Sequence, residues 1–244
     1  WSLANPLALM LVYTFVFSFV IKIQLPTGNP SGLNSFPLWL LAGLLPWIFF
    51  STVLTQGIGS LISNESLIRK VYFPRNLLVL STVAAATVNW LIELSVLLAA
   101  LLIAGAFGVL SLLPALIFLI ICFVMFATGI VLMLAIANVY FRDTEYLIGV
   151  GLQLGMYLSP VVYPLSLVQA QSEKIGPLFG NISLFDVYLI NPMVVFLSSF
   201  REILFDNRLP GWSSTISMLL LALISLSAGL LIFKSKEKKL AELL

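Results

Sequence analysis

Apolar runs of membrane-crossing length alternate along the chain with short polar knots, and that alternation predicts helices that cross a bilayer. A span needs roughly 20 mostly apolar residues. The first run, about Ala4 to Ile23, is rich in Phe and Val and ends at Pro26-Thr27-Gly28-Asn29-Pro30-Ser31-Gly32, where Pro and Gly stop a helix. A second, about Leu38 to Ser63, carries no charge and has Pro46 and Trp47 near its start, where an interfacial aromatic belt is expected. The charged stretch Asn64 to Asn76 follows. A third run, about Leu77 to Ala104, is interrupted only by Glu93, and Gly105-Ala106-Phe107-Gly108 turns it into a fourth, about Leu112 to Asn138. After a second polar knot, Asn138 to Glu145, comes a short fifth run, about Tyr146 to Val162; the sixth is about Thr215 to Phe233.

The run Ile182 to Phe200 is long enough to span, but Asp186 and Asn191-Pro192 break its middle, where unsatisfied polar groups are expensive. It reads as two short helices dipping back into the membrane. The expected fold is all-α: a single transmembrane domain over residues 1–244, with six transmembrane helices and a re-entrant helical hairpin before the last. Charge parity agrees, because six spans with both termini cytoplasmic put eight of the twelve Lys and Arg inside. The other four, Lys22, Lys174, Arg201 and Arg208, stand near Glu173, Asp186, Glu202 and Asp206, acids that read as solvated. Leu3 to Ile21 lacks a basic flank and is long for a signal core, so it reads as a retained span. The start at Trp1 leads to the expectation that further residues precede it.

Composition removes the alternatives to a membrane protein. Hydrophobic residues make up 61% and charged residues 9%, against about a quarter charged in soluble domains. The net charge of +2 argues against nucleic acid. Cys122 has no partner for an intrachain disulfide, and with no histidine the chain has no His-based metal site or general base. No phosphate-loop motif Gly-x-x-x-x-Gly-Lys-[Ser/Thr] occurs, so any ATP that drives this protein is bound by another chain.

The first knot sets Leu67, Val71 and Phe73 beside Arg69, Lys70 and Arg75, a mixture suited to a docking surface; anchoring to lipid headgroups is the plainer alternative. In the second, Asp143 or Thr144 is expected to cap the next helix. Polar stripes at helical spacing mark faces turned from lipid: Thr52, Gln56, Ser60 and Ser63; Thr82, Asn89 and Glu93; Gly149, Gln153 and Tyr157. Such stripes line a path or hold helices together, and Gly149, Gly151 and Gly155 also fit close packing. Glu93, the one acid deep in a span, should face protein or water; pairing with Asn89 or a neighbouring helix is favoured over a proton relay, which lacks a second group.

Five motifs occur in order: Gly43-Leu44-Leu45-Pro46-Trp47; Asn64 to Arg75 with its Lys-Val-Tyr-Phe-Pro-Arg core; Ala137-Asn138-Val139-Tyr140-Phe141-Arg142-Asp143; Tyr157-Leu158-Ser159-Pro160-Val161-Val162-Tyr163-Pro164; and Asn191-Pro192. Together, over essentially the whole chain, they resemble the permease subunit of bacterial ABC exporters of polysaccharides and polyol phosphates, the Wzm/TarG type. That family's amphipathic amino-terminal segment has no counterpart here, and Asn76 stands where an acid is common.

The resemblance implies a non-catalytic, multi-pass protein of the bacterial cytoplasmic membrane that forms a homodimer in the lipid. Two cytoplasmic ATP-binding subunits would hold ATP and Mg, this chain holding no cofactor or metal. The substrate would be a lipid-linked polysaccharide such as O-antigen, galactan or teichoic acid; export of a drug or small lipid is the nearer alternative and an ion-coupled carrier the farther. It also implies that Asn64, Glu65, Leu67, Arg69, Lys70, Val71, Tyr72, Phe73, Pro74 and Arg75 form a coupling helix on the ATPase. Tyr140, Arg142, Asp143 and Glu145 would make a second contact. The path would use Tyr13 and Phe17 of the first span, with Thr52, Gln56, Ser60, Gln153 and Tyr157, and Tyr163 and Tyr188 at an outer gate.

Overall fold

The computed structural model describes residues 7–8, 11–13, 15–16, 27–71, 73–179 and 182–237, with backbone alone at Arg69, Leu178, Phe179 and Ile182. Most of the expected first span, with Phe17, lies outside the described residues, as does Tyr72. In chain order the elements are α1 (Phe36–Ile58), α2 (Ser60–Ser63), α3 (Glu65–Lys70), α4 (Asn76–Ile103), a 3-10 turn (Phe107–Leu112), α5 (Leu113–Tyr140), α6 (Thr144–Leu158), α7 (Leu165–Ile175), β1 (Pro177–Phe179), β2 (Ile182–Ser183), α8 (Leu184–Leu189), α9 (Pro192–Leu204) and α10 (Trp212–Lys236).

Four helical stretches among the described residues are long and apolar enough to cross a membrane: α1, α4, α5 with its leading 3-10 turn, and α10. Each has a local reason to stop. After Gly59 breaks α1, Asn64 Nδ2 donates to the Ser60 carbonyl at 2.9 Å and closes α2. α4 ends in a Schellman motif, with Gly105 at φ 92°, its N–H donating to Leu102 O and the Ala106 N–H to Leu101 O, both at 3.0 Å. Only a residue without a Cβ takes that φ without strain.

One expectation changes. The fifth run gives α6, of 15 residues. At a rise of about 1.5 Å per residue that is about 22 Å, short of a hydrocarbon core of about 30 Å. It stops because Pro160 disfavours helical backbone in the residue before it. The fold is helical as expected, with one short addition: β1 and β2 pair antiparallel, Pro177 with Ser183 and Phe179 with Ile182. The run Ile182 to Phe200 yields two short helices, α8 and α9, after this hairpin.

The chain falls into two compact units. One comprises Trp1–Trp47, Ile92–Leu119 and Gly155–Met218. Its core is the apolar stripe of α9, where Met193, Phe196, Leu197, Phe200 and Leu204 are buried at helical spacing. Asn191 caps α9 by accepting from the Met193 N–H at 3.0 Å, with Pro192 at the first helical position. The other unit comprises Ile48–Leu91, Ile120–Leu154 and Leu219–Leu244. It is filled by aromatics: Phe49 stacks on Trp90 at 4.3 Å between centroids, and Phe123 lies 5.7 and 5.8 Å from those two rings. In the same unit α5 meets α10 through Gly129, Ser225 and Gly229, small residues that let backbones approach; Ser225 Oγ donates to the Phe126 carbonyl at 2.8 Å.

Candidate functional site: two motif clusters

In the second unit the second polar knot packs on the end of α1, just before the first knot. The buried Asn138 donates through Nδ2 to the Ile58 carbonyl at 3.3 Å, tying the end of α5 to the end of α1. The Glu145 carboxylate approaches Gly59, where an added Cβ would lie 3.5 Å from Oε2. α3 buries Ile68 and leaves Leu67 and Lys70 exposed, with Val71 beyond them; Asn64, Glu65 and Phe73 are half-buried and Pro74 is exposed. From the second knot Tyr140, Phe141, Arg142, Asp143 and Glu145 are exposed, followed by Tyr146 and Leu147.

One role read from sequence is corrected here, and one residue shows a further contact. Arg75 is engaged within the chain: its N–H donates to Glu237 Oε1 at 3.2 Å and its guanidinium to the Glu237 carbonyl, clasping the start of α4 to the end of α10. Neither Asp143 nor Thr144 caps α6 through its side chain; Asp143 accepts from the Leu147 N–H through its backbone carbonyl, and Thr144 Oγ1 donates back to Phe141 O at 2.6 Å. Glu237 was hidden among the tail lysines, and no local pattern pointed to it.

In the first unit Asn191 bonds to the Tyr157–Pro164 motif, and that motif meets Gly43 at Arg201, a residue the sequence sets among solvated outer charges. It is buried, its guanidinium 3.7 Å from the centroid of the Trp39 ring, donating to the carbonyls of Pro160 and, at 2.5 Å, Val161. Gly43 is small because Arg201 is there: a Cβ would sit 2.4 Å from Nη2. The Trp47 ring covers Gly155 of α6, and Asn191 donates to Leu158 O at 3.2 Å and Ser159 Oγ at 2.9 Å. Burial pulls the Arg201 pKa down to about 9, so the group stays cationic at neutral pH. The break after α6 is thus held by one arginine and one asparagine.

Beside it stand two of the expected gate residues. Tyr163 donates to Tyr157 O at 2.6 Å, and with its one proton spent there it accepts from the Tyr188 hydroxyl at 2.5 Å. Burial and then this hydrogen bond push the Tyr188 phenol well above its usual range.

Of the expected path residues, Gln56, Gln153 and Tyr157 are exposed, Thr52 is half-buried and Tyr13 donates to Met156 Sδ at 3.9 Å. Ser60 differs: it is buried and its hydroxyl donates to Gly57 O at 2.7 Å, so it faces its own helix. α6 buries no residue, and a Cβ on Gly149 or Gly151 would meet nothing within 4 Å, so of the three glycines only Gly155 serves close packing within this chain. Glu93 is buried and makes no hydrogen bond or ion pair among the described residues, so the expected pairing with Asn89 does not form.

No protein-family model matches the chain. It is 30% identical over 244 residues to the O-antigen export system permease protein RfbA of Myxococcus xanthus, across 99% of this chain and 86% of that relative. The chain belongs to the polysaccharide-export permease family. The permease is equally similar, at 30% and over 86% of its counterpart, to the RfbA protein of Klebsiella pneumoniae, and 22% identical over 242 residues to the polysialic acid transport protein KpsM of Escherichia coli. Permeases of this family are membrane components without catalysis of their own. Three of the five ordered motifs of the permease are thus packing partners, and a fourth holds the end of α1 through Asn138.

Proposed function

We propose that the permease, acting as a single transmembrane domain and as a homodimer, forms the channel of an ATP-driven exporter that moves lipid-linked polysaccharide across the bacterial cytoplasmic membrane. Two copies of a separate subunit bind ATP and Mg. The chain crosses six times with both termini cytoplasmic, the first span lying within residues 4–23 and the fifth being α6 with the turn that follows it. α8 and α9 form a re-entrant hairpin at the outer face.

The reading is supported by the hydrogen bond from Asn138 to Ile58, which ties the second knot to the end of α1 just before the first; we take the two knots as one platform. Its exposed side chains include Leu67, Lys70, Val71, Phe141 and Arg142, apolar anchors next to cations. Such a mixture fits a soluble partner, and a partner that moves the platform moves the ends of α1 and α5 as one body. Asn64, Glu65, Arg69, Tyr72, Phe73, Pro74, Tyr140, Asp143 and Glu145 belong to the same contact, while Arg75 acts through its clasp on Glu237. Gln56, Gln153 and Tyr157, exposed in the single chain, offer hydrogen bonds and a stacking face to sugars; Tyr13, Phe17 and Thr52 extend that lining, and Tyr163 and Tyr188 guard the exit.

Substituting Leu67→Asp and Val71→Asp together tests this. The variant is expected to insert and dimerise as before, to lose its ATPase subunit on co-purification, and to accumulate lipid-linked glycan inside the cell. Normal export with the ATPase still bound would overturn the coupling role.

A further inference from the structure

A cavity of about 310 Å³ in the first unit lies between α1 and α4. That volume is at the small end of ligand pockets. Leu38 and Leu41 with Leu45 line it from α1, Val96 and Ala100 from α4, and every one of these positions falls on one face of its helix. Its one ionisable lining residue is Glu93, buried and without a hydrogen-bond partner among the described residues. No Lys or Arg lines the cavity among the described residues.

We propose that this slot binds a monocationic aliphatic amphiphile: the ammonium pairs with the Glu93 carboxylate and the alkyl chain lies between the α1 and α4 stripes. Each half of the slot selects one half of that ligand. A carboxylate in apolar surroundings is stabilised as the anion only by a cation beside it, and none lines the slot among the described residues. The leucine and valine walls offer an alkyl chain the contacts it has in lipid. A zwitterionic phospholipid fits less well, because its phosphate would meet no cation in the slot among the described residues. Ser35 and Pro37, at and just before the start of α1, also line the slot, so in the proposal the ligand enters from that end. The proposal goes beyond the export reading and does not rest on it.

The full chain in a neutral maltoside detergent, titrated with dodecylammonium and separately with 1-dodecanol, provides the test by thermal unfolding. Dodecylammonium is expected to raise the unfolding temperature where dodecanol does not, and Glu93→Gln, which keeps the shape and removes the charge, is expected to weaken that response about tenfold. Val96→Phe, which fills the slot and leaves Glu93 in place, should abolish it. Equal stabilisation of wild type and Glu93→Gln, equal effects of amine and alcohol, or full binding by Val96→Phe would each overturn the proposal.

Discussion

Arg201 is one side chain at which two separated motifs meet. Its two short donations go to carbonyls that a proline-broken turn leaves without helical partners, and its face is covered by Trp39. Hydrogen bonds from a charged donor contribute about 1.5–3 kcal/mol, and a desolvated cation–aromatic contact about 2 kcal/mol. Arg201→Met is therefore expected to cost about 3 kcal/mol or more, measured by thermal or denaturant unfolding in detergent. Lys is expected not to rescue it, since a single ammonium cannot reproduce the planar fork that reaches two carbonyls. Gly43→Ala should imitate the loss by pushing the guanidinium aside, since its Cβ would lie 2.4 Å from Nη2. In an Arg201→Met background the same alanine should cost little, so the pair is expected to be strongly non-additive. Additive losses would mean that Gly43 serves something other than the arginine. The sequence concealed this residue because Arg201 sits among Glu202, Asp206 and Arg208, which pair with one another at the surface, Arg208 with Glu202 at 2.7 Å. Only the helical period of Phe196, Leu197, Phe200 and Leu204 sets it on the buried side.

Between elements, the closest approach in the second unit is the crossing of α5 and α10. A Cβ on Gly129 would lie 2.2 Å from the Ser225 carbonyl, and one on Gly229 2.4 Å from the Gly129 oxygen. These are backbone atoms, so a rotamer change cannot relieve the clash. Gly129→Ala and Gly229→Ala are each expected to separate the helices and destabilise the protein by about 1–3 kcal/mol, read from detergent unfolding. Gly149→Ala, with open space around it, should leave stability unchanged or slightly raised. If it nonetheless impaired export, the cause would lie in a second chain or the path. Elements were legible where composition alone decides them: α4, α5 and α10 begin and end within about three residues of their apolar runs. They were not legible at α6, where Tyr146 to Val162 reads as one run but Ser159 and Pro160 break it, and the carbonyls so freed bond to a residue 40 positions away. The hairpin of β1 and β2 carries no strand alternation long enough to announce it.

At the scale of the whole molecule the knots were legible as motifs, while the tie of the second to the end of α1 was not: Asn138 and Ile58 lie 80 residues apart, and only the fold joins them. The same fold sharpens the charge argument for topology. Of the four Lys and Arg that six spans put outside, Arg201 is buried, which leaves Lys22, Lys174 and Arg208 to weigh against eight inside. Positive charge in short loops near span ends opposes translocation, so the bias favours a cytoplasmic platform. Cys122, the sole cysteine, is buried in α5, so single cysteines elsewhere report cleanly once it is Ser. With a membrane-impermeant thiol reagent, Phe141→Cys and Ser66→Cys are expected to label only after the membrane is opened, whereas Lys174→Cys labels in intact spheroplasts. All three positions are exposed, so silence would reflect the side of the membrane rather than packing. Labelling of residue 141 from outside would reverse the orientation, and the platform of Leu67, Lys70 and Val71 would then face away from any cytosolic ATPase.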